Sequence, residues 1–144
     1  MCLIIDTNLA ADFFCSSSTT LAPLKKAVMS ATCCVYYGGS KLRKEYFQSS
    51  KIQKMIVALD RAGRAKAIRD DLVDARIGQI ENLCISNDSH IIALALESGA
   101  RLLCSHDADL HTDFTNTMLI NKPRGHVYQN SSHKHLIRKH HKSC

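Results

Sequence analysis

The run Cys2-Leu3-Ile4-Ile5 is apolar without alternation, the pattern of a strand buried on both faces in a parallel sheet, and it stops at the polar triplet Asp6-Thr7-Asn8. A helical stretch follows from about Leu9, breaks at Ser16-Ser17-Ser18, and resumes over Leu21 to Ala31 with Leu21, Leu24 and Val28 on one side. Cys33 to Tyr37 reads as the next strand, closed by Gly38-Gly39. From Ser40 a helix carries Leu42 and Tyr46 four residues apart, with Glu45 beside them. Ile52, Met55, Ile56 and Leu59 repeat at i, i+3, i+4, i+7 until Gly63. Val73, Ile77, Ile80 and Cys84 form another stripe after the charged segment Arg64 to Asp74, which fits no element clearly.

In the second half, Ser86-Asn87-Asp88 offers capping side chains ahead of the apolar run Ile91 to Leu96, and Gly99 supplies the helix stop. Arg101 to Ser105 reads as a strand leading into His106-Asp107-Ala108-Asp109, and a final short strand is expected near Thr117 to Ile120. Strands and helices that alternate in this way predict an α/β fold, a three-layer α/β/α sandwich with a central, mainly parallel sheet. Apolar periodicity fades at about Lys122, so residues 1–121 are expected to form the domain and 122–144 a basic, His-rich C-terminal tail.

Charge sharpens that division. The 144 residues suit one domain, and the formal net charge is +6. Residues 1–121 hold 13 basic and 13 acidic side chains, whereas 122–144 hold 6 basic and none acidic, together with five of the eight histidines. The whole excess therefore lies in the tail, which is expected to be flexible and to attract RNA or a protein partner. Its His and Cys residues match no structural zinc spacing. The seven cysteines include no CxxC and are expected to be reduced thiols. The N-terminus lacks a basic region and a long apolar run, and no stretch is long enough to span a bilayer, so a cytoplasmic protein without membrane partners is expected.

In an open parallel sheet, ligands gather outside the carboxyl ends of the strands. Asp6 directly follows the first strand and Asp107 follows the strand ending at Cys104-Ser105, so both should emerge at that edge. Asp88 lies at the start of its helix, and Glu45 on a helix that follows a strand, so four carboxylates from four places in the chain should converge. Such a cluster repels itself unless protons or cations neutralise it. Mg²⁺ or Mn²⁺, as one or two ions, suits oxygen ligands and phosphate substrates, which points to phosphodiester hydrolysis.

Four segments in order carry a resemblance to PIN-domain nucleases: Leu3-Ile4-Ile5-Asp6-Thr7-Asn8, Gly38-Gly39-Ser40-Lys41-Leu42-Arg43-Lys44-Glu45, Ser86-Asn87-Asp88-Ser89-His90-Ile91-Ile92-Ala93-Leu94-Ala95, and Ser105-His106-Asp107-Ala108-Asp109-Leu110. The match covers about residues 2–120. The resemblance implies a Mg²⁺/Mn²⁺-dependent endoribonuclease for single-stranded RNA, of the class that includes toxins of toxin–antitoxin pairs. It implies Asp6, Glu45, Asp88 and Asp107 as metal-binding catalytic acids, with Thr7, Asn8, Ser105 and Asp109 in support. As partners it implies RNA, an antitoxin or other regulatory protein, and a second copy in a homodimer.

Plainer roles stand beside these. Asp6 can simply end a strand, Glu45 can pair with Lys41 along its helix, and Asp88 can complement a helix dipole. Asp113 reads as a solvated bystander, and His90 and His106 as packing or polar neighbours. Lys41, Arg43 and Lys44, with Arg138 and Lys139 in the tail, are the expected nucleic-acid contacts, although a solvated face explains the first three almost as well. An aspartate after the first strand also opens phosphatase folds, but these usually place a second aspartate two residues on, where this chain has Asn8. The remaining alternatives are a catalytically silent RNA- or protein-binding module and a DNA-directed nuclease.

Overall fold

A computed structural model describes residues 2–139, and for Cys2, Arg138 and Lys139 the backbone only. Its centre is β1 (Cys2–Ile5), whose described side chains Leu3, Ile4 and Ile5 are all fully buried, as a strand covered on both faces must be. The chain then runs through α1 (Thr7–Cys15), α2 (Ala22–Met29), β2 (Cys34–Gly38), α3 (Ser40–Phe47), α4 (Ser50–Arg61), β3 (Ala65–Ile68) and α5 (Asp70–Ile80). It continues through α6 (Ser89–Ser98), β4 (Leu102–Cys104), α7 (Ala108–Thr115), β5 (His126–Val127) and α8 (His135–Lys139).

The five strands form one sheet in the order β3-β2-β1-β4-β5, and every pairing is parallel. Leu3 stands opposite Val35 on one side and Leu102 on the other. Helices cover the sheet, with α1 packed on α4 and α5 on α6, giving the expected α/β/α architecture. Phe13, Tyr46, Phe114 and Tyr128 are the largest fully buried aromatic side chains. Each such side chain contributes about 1.5–3 kcal/mol by leaving water. Gly99 ends α6 in the left-handed conformation, the stop expected from its position. Among the described residues, no helix is long and apolar enough to cross a membrane.

Several elements differ from expectation. The charged segment from Arg64 contains β3, an edge strand with Lys66 and Ala67 exposed, which is why it lacks an apolar run. Thr117 to Ile120 is a turn, and the last strand is β5 instead. Consequently the boundary expected at residue 121 falls inside the folded unit. Within 122–139, β5 extends the sheet, Tyr128 is fully buried with its hydroxyl donating to the Thr20 carbonyl (3.1 Å), and Leu136 is buried. Two buried anchors among polar residues are too sparse to register as periodicity. Residues 140–144 lie outside the described part. The thiol expectation also needs correction at one position: Cys15, Cys84 and Cys104 are free, but Cys34 is disulfide-bonded.

Candidate functional site

The strand order reverses direction between β1 and β4, so a crevice opens between their carboxyl ends, where the following loops diverge. The backbone N–H of Asp6 bonds the Cys104 carbonyl (2.9 Å), fixing the two strand ends side by side. Asp6 and Asp107 leave from these ends as the N-caps of α1 and α7.

Ser105 is the hub. Its hydroxyl donates to Asp6 Oδ2 (2.6 Å) and accepts from the Asp107 backbone N–H (3.0 Å) and from Asn8 Nδ2 (3.4 Å). Asn8 Oδ1 in turn accepts from the His106 backbone N–H (3.3 Å). Thr7 donates its backbone N–H to Asp6 Oδ1 (2.7 Å) and its hydroxyl to Glu45 Oε2 (2.6 Å), which draws the α3 carboxylate to the same crevice. Tyr46, the neighbour of Glu45, reaches back with its buried hydroxyl to the Ile5 carbonyl, tying α3 to the end of β1. Asp107 accepts from the backbone N–H groups of Asp109 (2.9 Å) and Leu110 (3.2 Å). Asp109 itself is exposed, and its link to Asp107 is this backbone bond.

Asp88 sits at the N-cap of α6 but makes no side-chain capping bond. Its carboxyl instead interacts with that of Asp107, and Lys41 Nζ lies 4.0 Å away. The sheet edge thus sets Asp6, Glu45, Asp88 and Asp107 around one crevice, with Ser105 and Thr7 holding Asp6, Thr7 holding Glu45, and Ser105 accepting the Asp107 N–H.

The electrostatics follow from this crowding. Asp6 is only 5% exposed, and burial pushes its pKa above the ordinary carboxylate value. The charges of Glu45 and Asp107 add to the rise, against the Ser105 and Thr7 hydrogen bonds. Asp88 is pushed up to about 6 by burial, by its hydrogen bond with Asp107 and by the Asp6 charge, with Lys41 opposing. For Asp107 burial is the largest single influence and acts upward, but the Leu110 N–H, the Asp88 carboxyl, the Asp109 N–H and His111 together outweigh it, so its pKa falls. The two pKa values are therefore pushed apart, Asp107 ionising first and Asp88 only as the pH approaches about 6.

The donor set is rich in hard oxygen atoms, and its mutual repulsion gives a divalent cation a reason to bind. As they stand, the described residues include no group of three or more His, Cys, Asp or Glu close enough to hold a metal ion. Cation binding therefore requires the acids to draw together, and Glu45 and Asp88, with side chains 28% and 23% exposed, have room to turn.

Other expected residues fall elsewhere. Arg43 is committed to the fold: its Nε bonds both oxygens of Asp70 (3.1 and 2.9 Å), and its guanidinium lies over the rings of Tyr37 and Phe47. Lys41 is exposed beside the site and donates to the Asn87 carbonyl (3.2 Å), and Lys44 is exposed on α3. The side chains of Arg138 and Lys139 lie outside the described part. Asp113 is no solvated bystander. Its buried carboxylate accepts the N–H groups of Ile85 (3.1 Å) and Ser86 (2.9 Å), bracing the loop that delivers Asp88.

Three supports escaped sequence reading because they join distant segments. Asp70 accepts the Gly39 N–H (2.9 Å), and Asp74 accepts the Ser40 N–H (3.0 Å) and hydroxyl, so the charged segment caps α3 from outside. This close docking explains the glycine pair. Gly38 and Gly39 adopt φ of 145° and 83°, and a Cβ would overlap the Ile68 carbonyl oxygen at the first and approach Val73 Cγ1 to 2.7 Å at the second. The third is His90, expected to be a packing neighbour, whose ring is buried between Glu45 and Asp88. Burial and the nearby Lys41 lower its pKa to about 4 despite Glu45, so the ring is neutral near pH 7. Compared with family models, with curated proteins and with solved structures, the chain gives no match.

Proposed function

We propose that this protein is a divalent-metal-dependent endoribonuclease of PIN-domain type, hydrolysing phosphodiester bonds of single-stranded RNA. The observation that carries the reading is the placement of four carboxylates from four separate elements around the switch point of a parallel sheet. Asp6 and Asp107 follow β1 and β4, Glu45 lies on α3, and Asp88 precedes α6. A module that only bound RNA would gain nothing from acids that repel phosphates.

Asp6, Glu45, Asp88 and Asp107 would hold Mg²⁺ or Mn²⁺, which when bound supplies Lewis acidity and a water of lowered pKa. The chain's own contribution is orientation. Ser105 and Thr7 fix the Asp6 carboxylate, Thr7 also holds Glu45, and two α7 backbone N–H groups fix Asp107. Lys41, exposed at the rim, would meet an RNA phosphate. A toxin role, with an antitoxin partner and a homodimeric state, is the biological setting that the resemblance to PIN-domain nucleases implies.

The test is incubation with single-stranded RNA and single-stranded DNA in Mg²⁺, Mn²⁺ or EDTA. Metal-dependent cleavage of RNA, abolished by EDTA, is expected. Preferential cleavage of DNA would redirect the reading to a DNA-directed nuclease, and cleavage undiminished by EDTA would remove the metal from it.

A further inference from the structure

Among the described residues, His90 is a buried imidazole in which neither ring nitrogen has a hydrogen-bond partner. Its side chain is 3% exposed, and it lies in the first turn of α6, two residues beyond Asp88. Leaving such a group unsatisfied costs about 1–3 kcal/mol, so it needs a structural or chemical reason.

The surroundings supply one. Nε2 stands 3.6 Å from Glu45 Oε2, and Nδ1 stands 4.0 Å from Asp88 Oδ1. Both separations exceed hydrogen-bonding distance, although a modest turn of either acid would close them. Two donors each about 2.1 Å from a shared cation lie roughly 3.0–3.5 Å apart, so the Nε2 to Glu45 spacing is close to that of neighbouring ligands. A neutral imidazole offers one nitrogen lone pair and one N–H. Nε2 can therefore ligate beside Glu45 while Nδ1–H turns toward Asp88. This arrangement matches the common pattern in which a ligating histidine donates its other N–H to a carboxylate.

Resting on the metal reading above, we propose that His90 is a nitrogen ligand of the carboxylate site and gives it selectivity for first-row transition cations over Mg²⁺. Carboxylates and waters alone suit Mg²⁺ and Mn²⁺ alike, whereas an imidazole tilts a site away from Mg²⁺ toward the first-row transition ions, least for Mn²⁺ and more for the ions beyond it. His90 projects from the same helix start as Asp88, so one rigid element presents both donors.

The experiment is pulsed electron paramagnetic resonance on the full chain loaded with Mn²⁺, read for ¹⁴N modulation from a coordinated imidazole. It is paired with Mn²⁺ titration and Mg²⁺ competition on wild type and His90→Leu, with circular dichroism to confirm folding. The wild type is expected to show ¹⁴N modulation that His90→Leu abolishes. Mn²⁺ affinity is expected to fall about 10-fold or more in the variant, while Mg²⁺ affinity changes by less than about 3-fold. Bound Mn²⁺ without ¹⁴N modulation, or modulation that survives in His90→Leu, would overturn the proposal and leave the nuclease reading intact. Failure of wild type to bind millimolar Mn²⁺ or Mg²⁺ would overturn both. The wild-type spectrum decides even if the variant fails to fold.

Discussion

Replacing Asp88 by Asn should stabilise the protein at neutral pH. The Asp88 carboxyl is raised from 3.8 to about 6, chiefly by burial and by Asp107 and Asp6. An acid with a higher pKa in the folded than in the unfolded state binds its proton more tightly when folded, so stability falls as pH rises from about 4 to about 6. Above that range the penalty is complete. Two pH units correspond to about 3 kcal/mol, and the partial exposure of Asp88 reduces this to about 1–2 kcal/mol. Asparagine removes the charge, keeps the shape, and breaks no capping bond, because the Asp88 side chain makes none. Urea unfolding at pH 7.5 and pH 4 measures both ends of the effect. At pH 7.5 the variant should be more stable by about 1–2 kcal/mol, or about 3–6 °C in Tm, and at pH 4 the gain should vanish. A variant less stable than wild type at pH 7.5, or a gain that persists at pH 4, would refute the crowding argument.

Three other substitutions probe the frame around the acids. Ser105→Ala removes the bonds to Asp6 Oδ2 and from the Asp107 N–H, so unfolding should show a loss of about 2 kcal/mol and RNA cleavage should slow by about 10–100-fold. Gly38→Ala should lower stability by about 2 kcal/mol or more in thermal unfolding, because the new methyl group meets the Ile68 carbonyl at a φ that L-residues avoid. Tyr128→Ala should cost about 3–5 kcal/mol in urea unfolding, and a change below about 0.5 kcal/mol would return the segment after residue 121 to the status of an appended tail.

Local signals were legible where chemistry and periodicity agreed. The non-alternating run before Asp6 and the i, i+3, i+4, i+7 stripe of Ile52 to Leu59 both correspond to the elements they predict, β1 and α4. The convergence of Asp6 and Asp107 follows from the parallel-sheet rule, because Asp6 directly follows β1 and Asp107 stands in the short loop after β4. What was not legible depends on contacts between distant segments. β3 is an edge strand with two exposed positions in four, so its composition is that of a surface loop. Asp70, Asp74 and Asp113 look like solvated charges until the partner backbone is in place. Arg43 looked like an RNA contact because a sequence does not reveal that Asp70 already holds it. His90 looked like a core residue, and it is buried as expected, but its setting between two carboxylates required the packing of α3 against α6.

The change from a charge-neutral 1–121 to a cationic 122–144 does not coincide with the end of the folded body. β5 and Tyr128 belong to the body, so the basic residues after 121 extend a folded surface at least as far as Leu136. Deleting that segment would remove a strand and buried side chains together with its charge, so truncation cannot isolate its electrostatic contribution.

The most direct measurement is single-turnover cleavage of end-labelled single-stranded RNA in Mn²⁺ by wild type and Asp6→Asn, with thermal unfolding to show that the variant is folded. Asp6 is the acid most firmly held by the fold, and its replacement should slow cleavage by about 100-fold or more. A folded Asp6→Asn protein that cleaves at the wild-type rate would contradict the assignment of this carboxylate cluster as the catalytic centre.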